Sequence, residues 1–322
     1  MALENAPWAV DGAKHSAAVA RTLAYASTSG AEGIVEPADL SVRATQTPSG
    51  AVRVAPGGIA ILNRAPNGGQ QAYTARNVSE TLVEVQPTGS GGGRTDYVWA
   101  HIIDPEYGGQ FPENPQTAQY FFLTASASQP EGNGWYRLAR IDIPASTATI
   151  TQSMITDLRE VANPRVHDVW RPRALVTADT ETLTVTTEVG EYFPNSGGPQ
   201  SIYIPEWATR ALIRVEWMDV RYGAGNAWGQ KWLEFGPYDG PSQRERSTQK
   251  YQFDTPAADN VSRANWIVVD DVAIPAAYRG TTQLFVPKAR RIGGVTNSIQ
   301  VDGLSGMNLQ VRFLEVADPS TT

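Results

Sequence analysis

The chain has 322 residues, of which 41% are hydrophobic and 18% charged, so it is long and apolar enough for two folded domains and is not intrinsically disordered. Its formal net charge of −7 argues against a non-specific nucleic-acid binder, which needs clustered positive charge to replace phosphate counterions. It contains no cysteine, which excludes disulfides, thiolate nucleophiles and zinc–thiolate sites.

The first predicted element is a helix over residues 13–26, which the turn residues Ser27–Gly30 end. A helix this short and rich in alanine is marginal by itself and needs a docking contact. No basic segment followed by an apolar run precedes it, and no segment has the length of a membrane span. We therefore expect a chain made in the cytoplasm that does not insert into membranes. The expected docking face consists of Ala17, Val19, Ala20, Leu23 and Ala24.

Short strands are predicted after the helix, because apolar residues recur with a period of two and Gly and Pro are frequent. Residues 50–62 alternate on both sides of a Pro-Gly-Gly sequence, which predicts two strands joined by a turn. Further strands are predicted at 81–85, 97–103, 120–126 and 136–143.

The second half of the chain reads as a run of strands separated by turn residues. In 211–221, Ile213, Val215 and Trp217 lie on one face and charged residues on the other, and 307–316 alternates in the same way. Alternation of this kind is typical of an antiparallel sheet with one solvated face.

A change of pattern at Asn163–Arg165 predicts a domain boundary. The predicted fold is mainly β. It comprises an N-terminal β-domain with a short helix at 1–162 and a C-terminal antiparallel β-sandwich, jelly-roll-like, at 163–322.

Catalytic motifs do not occur in the combinations that known chemistry requires. The three histidines, at positions 15, 101 and 167, are not accompanied by a G-x-S-x-G sequence, and His101 lies in an apolar segment typical of a core strand. Ser247–Lys250 fits S-x-x-K but lies among predicted strands, so we interpret it as a chance match. HExxH, Walker A and EF-hand motifs do not occur either, and we expect no enzyme activity, no metal and no cofactor.

The richest aromatic segment is 221–240, and two interpretations of it stay open. Its rings either pack in the core of the sandwich, with Trp232 and Phe235 the most buried, or stand on a loop and stack on sugar rings. The second interpretation predicts a glycan site made of Tyr222, Trp228, Tyr238, Arg244 and Arg246.

Several short motifs follow one another in the first half of the chain. After the helix-bearing leader at 8–42 they are VRVAPGGIAIL at 52–62, QAYTARN at 71–77, RTDYV at 94–98, DPE at 104–106, LARIDIP at 138–144 and ITDLR at 155–159. In this order, the segment from Asp39 to Arg165 resembles the N-terminal region of bacteriophage minor tail proteins, especially those of phages that infect actinobacteria. The resemblance implies a tail-tip or baseplate component of the virion that docks on other tail proteins and forms a homotrimer.

Two pairs of charged residues in these motifs, Arg94 with Asp96 and Asp157 with Arg159, are candidates for an active site or for a structural joint. A catalytic role needs a third group and a pocket, which the sequence does not offer. Because arginine is suited to bidentate contacts at joints and subunit contacts, we expect a structural role for both pairs.

The alternative function is a carbohydrate-binding module or a glycan hydrolase that acts on the host cell envelope, with a cell-wall glycan as partner. A hydrolase needs two carboxylates about 5–10 Å apart. Asp270 and Asp271 are neighbours on a predicted strand and therefore point to opposite faces, whereas Glu234 and Asp239 have no supporting motif.

Overall fold

The computed structural model describes residues 16–108, 111–239, 243–258, 260–292 and 298–318, and the side chains of 256–258 are outside the description. The chain divides into two compact units. The first contains the residues up to Pro164 and those from Val316 on, and the second is Arg165–Glu315. The regular structure of the described residues is mainly antiparallel sheet, with one short α-helix, which confirms the predicted fold class.

The helix α1 (Ala17–Ser27) begins after Ser16, whose side chain accepts a hydrogen bond from the Val19 amide at 3.1 Å. The predicted start at residue 13 lies outside the described residues. The predicted docking face is only partly buried, because Leu23 is 51% exposed and the buried residue of the helix is Arg21.

Arg21 fixes α1 by polar contacts rather than by apolar area. Its guanidinium donates to Asp104 at 3.1 Å, to Glu106 at 2.8 Å and to the Gln71 side chain at 2.5 Å. Alanine offers little apolar area to bury, so the rigid five-donor fork of one arginine provides the contact that the helix needs.

The first unit contains ten strands among its described residues, in three antiparallel sheets with the orders β1-β4-β5, β10-β9-β7-β8 and β2-β3-β6. The strands are β1 (Gly33–Ile34), β2 (Val42–Ala44), β3 (Ala51–Val54), β4 (Gly57–Leu62), β5 (Ala72–Asn77), β6 (Thr81–Glu84), β7 (Arg94–Ile102), β8 (Phe121–Ser126), β9 (Gly134–Ile143) and β10 (Ile155–Asp157). Their inward residues form one core, which includes Ile59, Ile61, Val98, Leu138 and Ile141.

The Pro-Gly-Gly sequence does not join two paired strands, contrary to the prediction. β3 and β4 belong to different sheets. Gly57 has φ +154°, and a Cβ there would lie 2.5 Å from the Asp39 Cβ, so only glycine fits this crossing. The Asp39 carboxylate also accepts a hydrogen bond from the Gly58 amide at 2.9 Å, which fixes the chain as it passes between the sheets.

The end of the chain differs from the predicted domain limits, since residues from Val316 on belong to the first unit. Ala317 packs against the core of that unit, and the Asp318 amide donates to the Pro37 carbonyl at 2.9 Å. The second unit is therefore inserted between two segments of the first.

The second unit contains twelve strands among its described residues. They are β11 (Val166–Ala174), β12 (Glu181–Thr182), β13 (Glu191–Tyr192), β14 (Gln200–Tyr203), β15 (Arg210–Tyr222), β16 (Gly225–Tyr238), β17 (Arg244–Ser247), β18 (Tyr251–Ala258), β19 (Ser262–Ala273), β20 (Thr282–Arg291), β21 (Ile299–Val301) and β22 (Gly306–Leu314).

These strands form two six-stranded antiparallel sheets. One has the order β11-β22-β15-β21-β12 with β19 paired to β15, and the other has β13-β20-β16-β17 with β14 and β18 paired to β20 and β16. Ile213, Val215 and Trp217 are fully buried, as the alternation predicts, and they share one core with Phe235 of the second sheet. Two sheets around one core make a β-sandwich.

Candidate functional site

Arg159 and Asp157 pair with each other in the first unit. Two parallel hydrogen bonds of 2.9 and 2.8 Å join the guanidinium to the carboxylate. The remaining nitrogen of Arg159 donates to the carbonyls of Pro37 at 3.3 Å and Asp39 at 2.5 Å, and the arginine side chain is fully buried. These contacts fasten β10 to the segment between β1 and β2, and all of the guanidinium nitrogens are engaged in them.

Arg94 and Asp96 form a second bidentate pair, with bonds of 2.7 and 2.8 Å, and Arg94 also donates to the Gln86 carbonyl. The Asp96 carboxylate raises the pKa of Arg94. Arg94 lines an open groove of about 330 Å³ together with Asp142, whose carboxylate is held by Thr95 at 2.9 Å and by Arg140 at 3.0 Å. The carboxylates of Asp96 and Asp142 are therefore acceptors in ion pairs and hydrogen bonds.

The histidines among the described residues are not hydrogen-bonded to a serine side chain. His101 is 5% exposed, stacks on Phe122 at 5.4 Å between ring centroids and contacts the Glu131 carbonyl through Nδ1 at 3.0 Å. Burial lowers its pKa. His167 lies on β11, and His15 is outside the described residues. Ser247 ends the strand β17, so the S-x-x-K sequence does not open a helix.

The predicted glycan site is divided between separate places. Tyr222 is 2% exposed in the core of the sandwich, where its hydroxyl accepts a hydrogen bond from the Trp266 indole and its ring lies 6.4 Å from the Phe253 ring. Burial raises the pKa of Tyr222 to about 12. A ring in this position cannot stack on a sugar, so the assignment of Tyr222 to a glycan site is wrong.

Trp228 also lies far from Tyr238. It and Tyr238 are ten positions apart on the same strand, β16, which corresponds to about 33 Å at the usual rise of a strand. Trp228 is half-buried. Arg246 is exposed on β17, where its register partner is Phe235. Trp232 and Phe235 are fully buried, as predicted.

Tyr238 and Arg244 do lie together, and with Tyr192 they form a surface that we call the Tyr238 patch. Tyr238 is 61% exposed, and the Arg244 guanidinium carbon lies 4.3 Å from the centroid of its ring. Arg244 is buried and donates to the Gly236 carbonyl at 2.6 Å, while the Tyr192 hydroxyl donates to that of Tyr238 at 3.3 Å. The guanidinium is thus fixed behind an exposed aromatic ring.

A buried ion pair lies next to the Tyr238 patch. Lys288 of β20 is fully buried, and its ammonium lies 3.2 Å from the Glu234 carboxylate. Glu234 also accepts hydrogen bonds from the Trp232 indole at 2.8 Å and from the Arg244 amide at 3.0 Å. Burial lowers the pKa of Lys288, and the Glu234 carboxylate opposes this change.

The bonding of Glu234 bears on the hydrolase hypothesis. A carboxylate with three donors and 3% exposure does not face a substrate, whereas Asp239 is exposed. Asp270 and Asp271 are the register partners of Ile213 and Leu212, so adjacent carboxylates lie on opposite faces of β19. Lys288 is not among the site residues predicted from the sequence, although the continuous apolar run before it in β20 indicates that both faces of this strand are covered.

Groups of three or more His, Cys, Asp or Glu residues that could hold a metal ion do not occur in the described part of the chain. The α-helix described there has eleven residues, and no helix among these residues is long and apolar enough to cross a membrane.

Comparisons with known proteins give distant similarities only. No protein-family model matches the chain, and no curated protein matches it. Among solved structures, that of the infectious bursal disease virus Gx strain is 14% identical with a TM-score of 0.22, covering 89% of this chain and 72% of that chain. A mutant VP2 protein of infectious bursal disease virus is 11% identical with a TM-score of 0.24, covering 95% and 81%.

The Cry4Aa toxin from Bacillus thuringiensis is similar to the same degree. It is 7% identical with a TM-score of 0.21, and the match covers 89% of this chain and 54% of that chain. Two viral structures and a bacterial toxin thus match at similarly low scores.

Proposed function

We propose that the chain is a structural virion protein, a minor tail protein of a phage tail tip or baseplate, and not an enzyme. The observation that carries the proposal is that the motifs of the resemblance contact one another in the first unit. Arg21 of the leader helix binds Asp104 and Glu106 of the DPE turn. Arg159 of ITDLR donates to the carbonyl of Asp39, at the start of the resembling segment. The motifs therefore form one framework, as expected for residues that define a common attachment domain.

The proposal assigns a different role to each unit. The first docks on other tail proteins, and the second, a sandwich inserted between two segments of the first, faces the host surface. The protein is made in the host cytoplasm and is then located in the tail of the virion. Gold-labelled antibodies against the second unit test this assignment on particles of the virus that encodes the chain. Label at the tail tip is the expected result, and label on the head or on no particle contradicts it.

The proposed tail role includes a homotrimer, because small β-domains with a marginal helix gain stability by burial between protomers. Light scattering of the purified protein at micromolar concentration tests the oligomeric state. The expected mass is three times the chain mass of 34.8 kDa. A stable monomer contradicts the trimer and leaves the particle experiment to decide the tail role.

The second candidate function is binding of a host cell-wall glycan at the Tyr238 patch, and the exposed ring of Tyr238 backed by the Arg244 guanidinium favours it. Tyr238→Ala is expected to abolish retention on cell-wall polysaccharide without loss of solubility. Tyr203→Ala is the matched control, since Tyr203 is 54% exposed and lies outside the patch. Equal retention of both variants contradicts the site.

The same incubation separates a binding module from a hydrolase. Release of reducing ends identifies a glycan hydrolase, whereas binding without release identifies a module. If neither binding nor release is detected, the result supports a purely structural role of the second unit.

A further inference from the structure

The Tyr238 patch contains a buried positive charge. Arg244 is 7% exposed, and arginine is rarely buried without an anionic partner. Its guanidinium contacts the Gly236 carbonyl, the Tyr238 ring and the Tyr192 hydroxyl, all of which are uncharged. Its Nε atom is buried and has no hydrogen-bond partner among the described residues. No ion pair between described residues includes Arg244.

The carboxylates close to Arg244 in the chain do not supply this partner. Glu234 accepts a hydrogen bond from the Arg244 amide, but its ion pair is with Lys288, at 3.2 Å. Asp239 is exposed, where water and salt screen its charge. Burial lowers the pKa of Lys288, and the charge of Arg244 lowers it as well, because the two cations repel each other. An anionic ligand near Arg244 would offset this repulsion and the burial of a charge without its own counter-ion.

A chain of hydrogen bonds leads from this guanidinium to the surface. A guanidinium has donors only, so the oxygen of Tyr192 accepts from Arg244. The Tyr192 hydroxyl in turn donates to the Tyr238 oxygen at 3.3 Å. The Tyr238 hydroxyl therefore keeps its own proton for a further acceptor, and the residue that carries it is 61% exposed. The chain thus presents a donor to a ligand at the surface.

We propose that the ligand of the Tyr238 patch is an acidic glycan, whose carboxylate or phosphate group accepts a hydrogen bond from the Tyr238 hydroxyl. This inference rests on the glycan site proposed above and specifies its ligand. Hydrogen bonds in a chain polarise one another, and a bond to an ionised acceptor is stronger than one to a neutral sugar hydroxyl. The charge of Arg244 also attracts an anion more strongly from a buried position than from water.

The test is competition on immobilised cell-wall polysaccharide with the full chain. Glucose, glucuronate and glucose phosphate, which share one sugar ring, are added as free competitors at constant ionic strength. One of the two anionic sugars is expected to release the protein at a concentration about tenfold below that of glucose, as the strength of a hydrogen bond to a charged group implies. The more effective of the two distinguishes a carboxylate from a phosphate ligand.

The competition separates the acidic ligand from the glycan site itself. If glucose releases the protein at the same concentration as the anionic sugars, or if neither anionic sugar releases it, the glycan site stands and the acidic ligand is overturned. If the untreated polysaccharide does not retain the protein, the proposed glycan site fails, and the acidic ligand fails with it.

Tyr238→Phe keeps the exposed ring and removes the donor. It is expected to release at similar concentrations of glucose and of the anionic sugars, whereas Tyr203→Phe, at an exposed position outside the patch, is expected to keep the wild-type preference. A Tyr238→Phe protein that still prefers the anionic sugar overturns the proposal.

Arg244→Gln removes the buried charge, and circular dichroism shows whether the variant is folded. The folded variant is expected to lose the preference for the anionic sugar, and its retention of that preference overturns the role of Arg244. Arg171→Gln, which removes the same charge from an exposed position on β11, is expected to behave as the wild type does. If Arg244→Gln does not fold, the comparison of Tyr238→Phe with Tyr203→Phe decides.

Discussion

Tyr222 belongs to the core of the second unit because its hydroxyl serves a buried partner. The Trp266 indole donates to this hydroxyl, and both rings are 2% exposed. Removal of the hydroxyl in Tyr222→Phe leaves a buried indole N–H without its acceptor, which costs about 1–3 kcal/mol. We predict a decrease of this size in the free energy of unfolding, measured by urea denaturation.

Tyr238→Phe is the matched control for this prediction. The hydroxyl of Tyr238 meets that of Tyr192 at the surface, and surface substitutions usually change stability by no more than about 0.5 kcal/mol. A Tyr222→Phe protein as stable as Tyr238→Phe would contradict the structural role of the Tyr222 hydroxyl.

His101 makes the stability of the first unit depend on pH. Burial lowers its pKa below the ordinary value of about 6.5, so the unfolded chain binds a proton there that the folded chain resists. The unfolded state then binds more protons below about pH 6.5, and the free energy of unfolding falls as the pH falls through this range.

We predict that His101→Phe, which keeps an aromatic ring against Phe122, loses less stability than the wild type between about pH 8 and about pH 5. Urea denaturation at the two pH values measures the difference. His167→Gln is the control for the loss of a histidine at an exposed position. An identical pH dependence in all three proteins would exclude the role of His101.

At the scale of elements, Arg159 joins β10 to the segment between β1 and β2. Its side chain is fully buried and contacts the Asp157 carboxylate and the carbonyls of Pro37 and Asp39. The Asp157 side chain is 31% exposed and is solvated after the loss of Arg159, whereas the two carbonyls lose a donor, and a buried group left without its partner costs about 1–3 kcal/mol. We predict a decrease of this order in the free energy of unfolding for Arg159→Ala, measured by chemical denaturation.

Arg140→Ala provides the comparison for an exposed pair. Arg140 and Asp142 are 44% and 51% exposed, and such pairs contribute at most about 1 kcal/mol. If the two variants lost the same amount of stability, Arg159 would not be a joint.

At the scale of the whole molecule, an ion pair joins the first and last residues of the inserted second unit. Arg165 and Glu315 are the terminal residues of this unit, and their side chains form a bidentate pair, with 2.9 Å between Arg165 Nε and Glu315 Oε2. The Glu315 side chain is 1% exposed, whereas that of Arg165 is 46% exposed. The pair therefore joins the two chain ends of the sandwich at a partly buried position.

We predict that Arg165→Ala leaves the Glu315 carboxylate buried without its cation and frays the paired strands β11 and β22. The cost is up to about 3 kcal/mol, lower than for a fully buried pair because the guanidinium is half exposed. Hydrogen exchange should accelerate in these two strands and stay unchanged in β7 and β9 of the first unit. Arg312→Ala is the control on the same strand pair, since Arg312 and Asp168 are 47% and 45% exposed; equally fast exchange in both variants would contradict the closure.

Many of the local features of the fold follow from the sequence. The alternation of Ile213, Val215 and Trp217 fixes which face of β15 is buried, because successive side chains of a strand point to opposite sides of the sheet. The burial of both Trp232 and Phe235 does not follow from this alternation, because they are three positions apart on β16 and point to opposite faces, each of which is covered. The antiparallel, mainly β architecture is thus a consequence of patterns that are only a few residues long.

The sites depend on contacts that local patterns do not encode. Arg21 meets Asp104 across 83 positions, Arg159 meets Asp39 across 120, and Arg165 meets Glu315 across 150. Nor does the sequence show that Tyr222 is covered by Trp266 while Tyr238 is exposed. Periodicity determined the strands and their inward faces, and only the tertiary structure decided which charges pair and which rings reach solvent, because these depend on how distant strands are brought side by side.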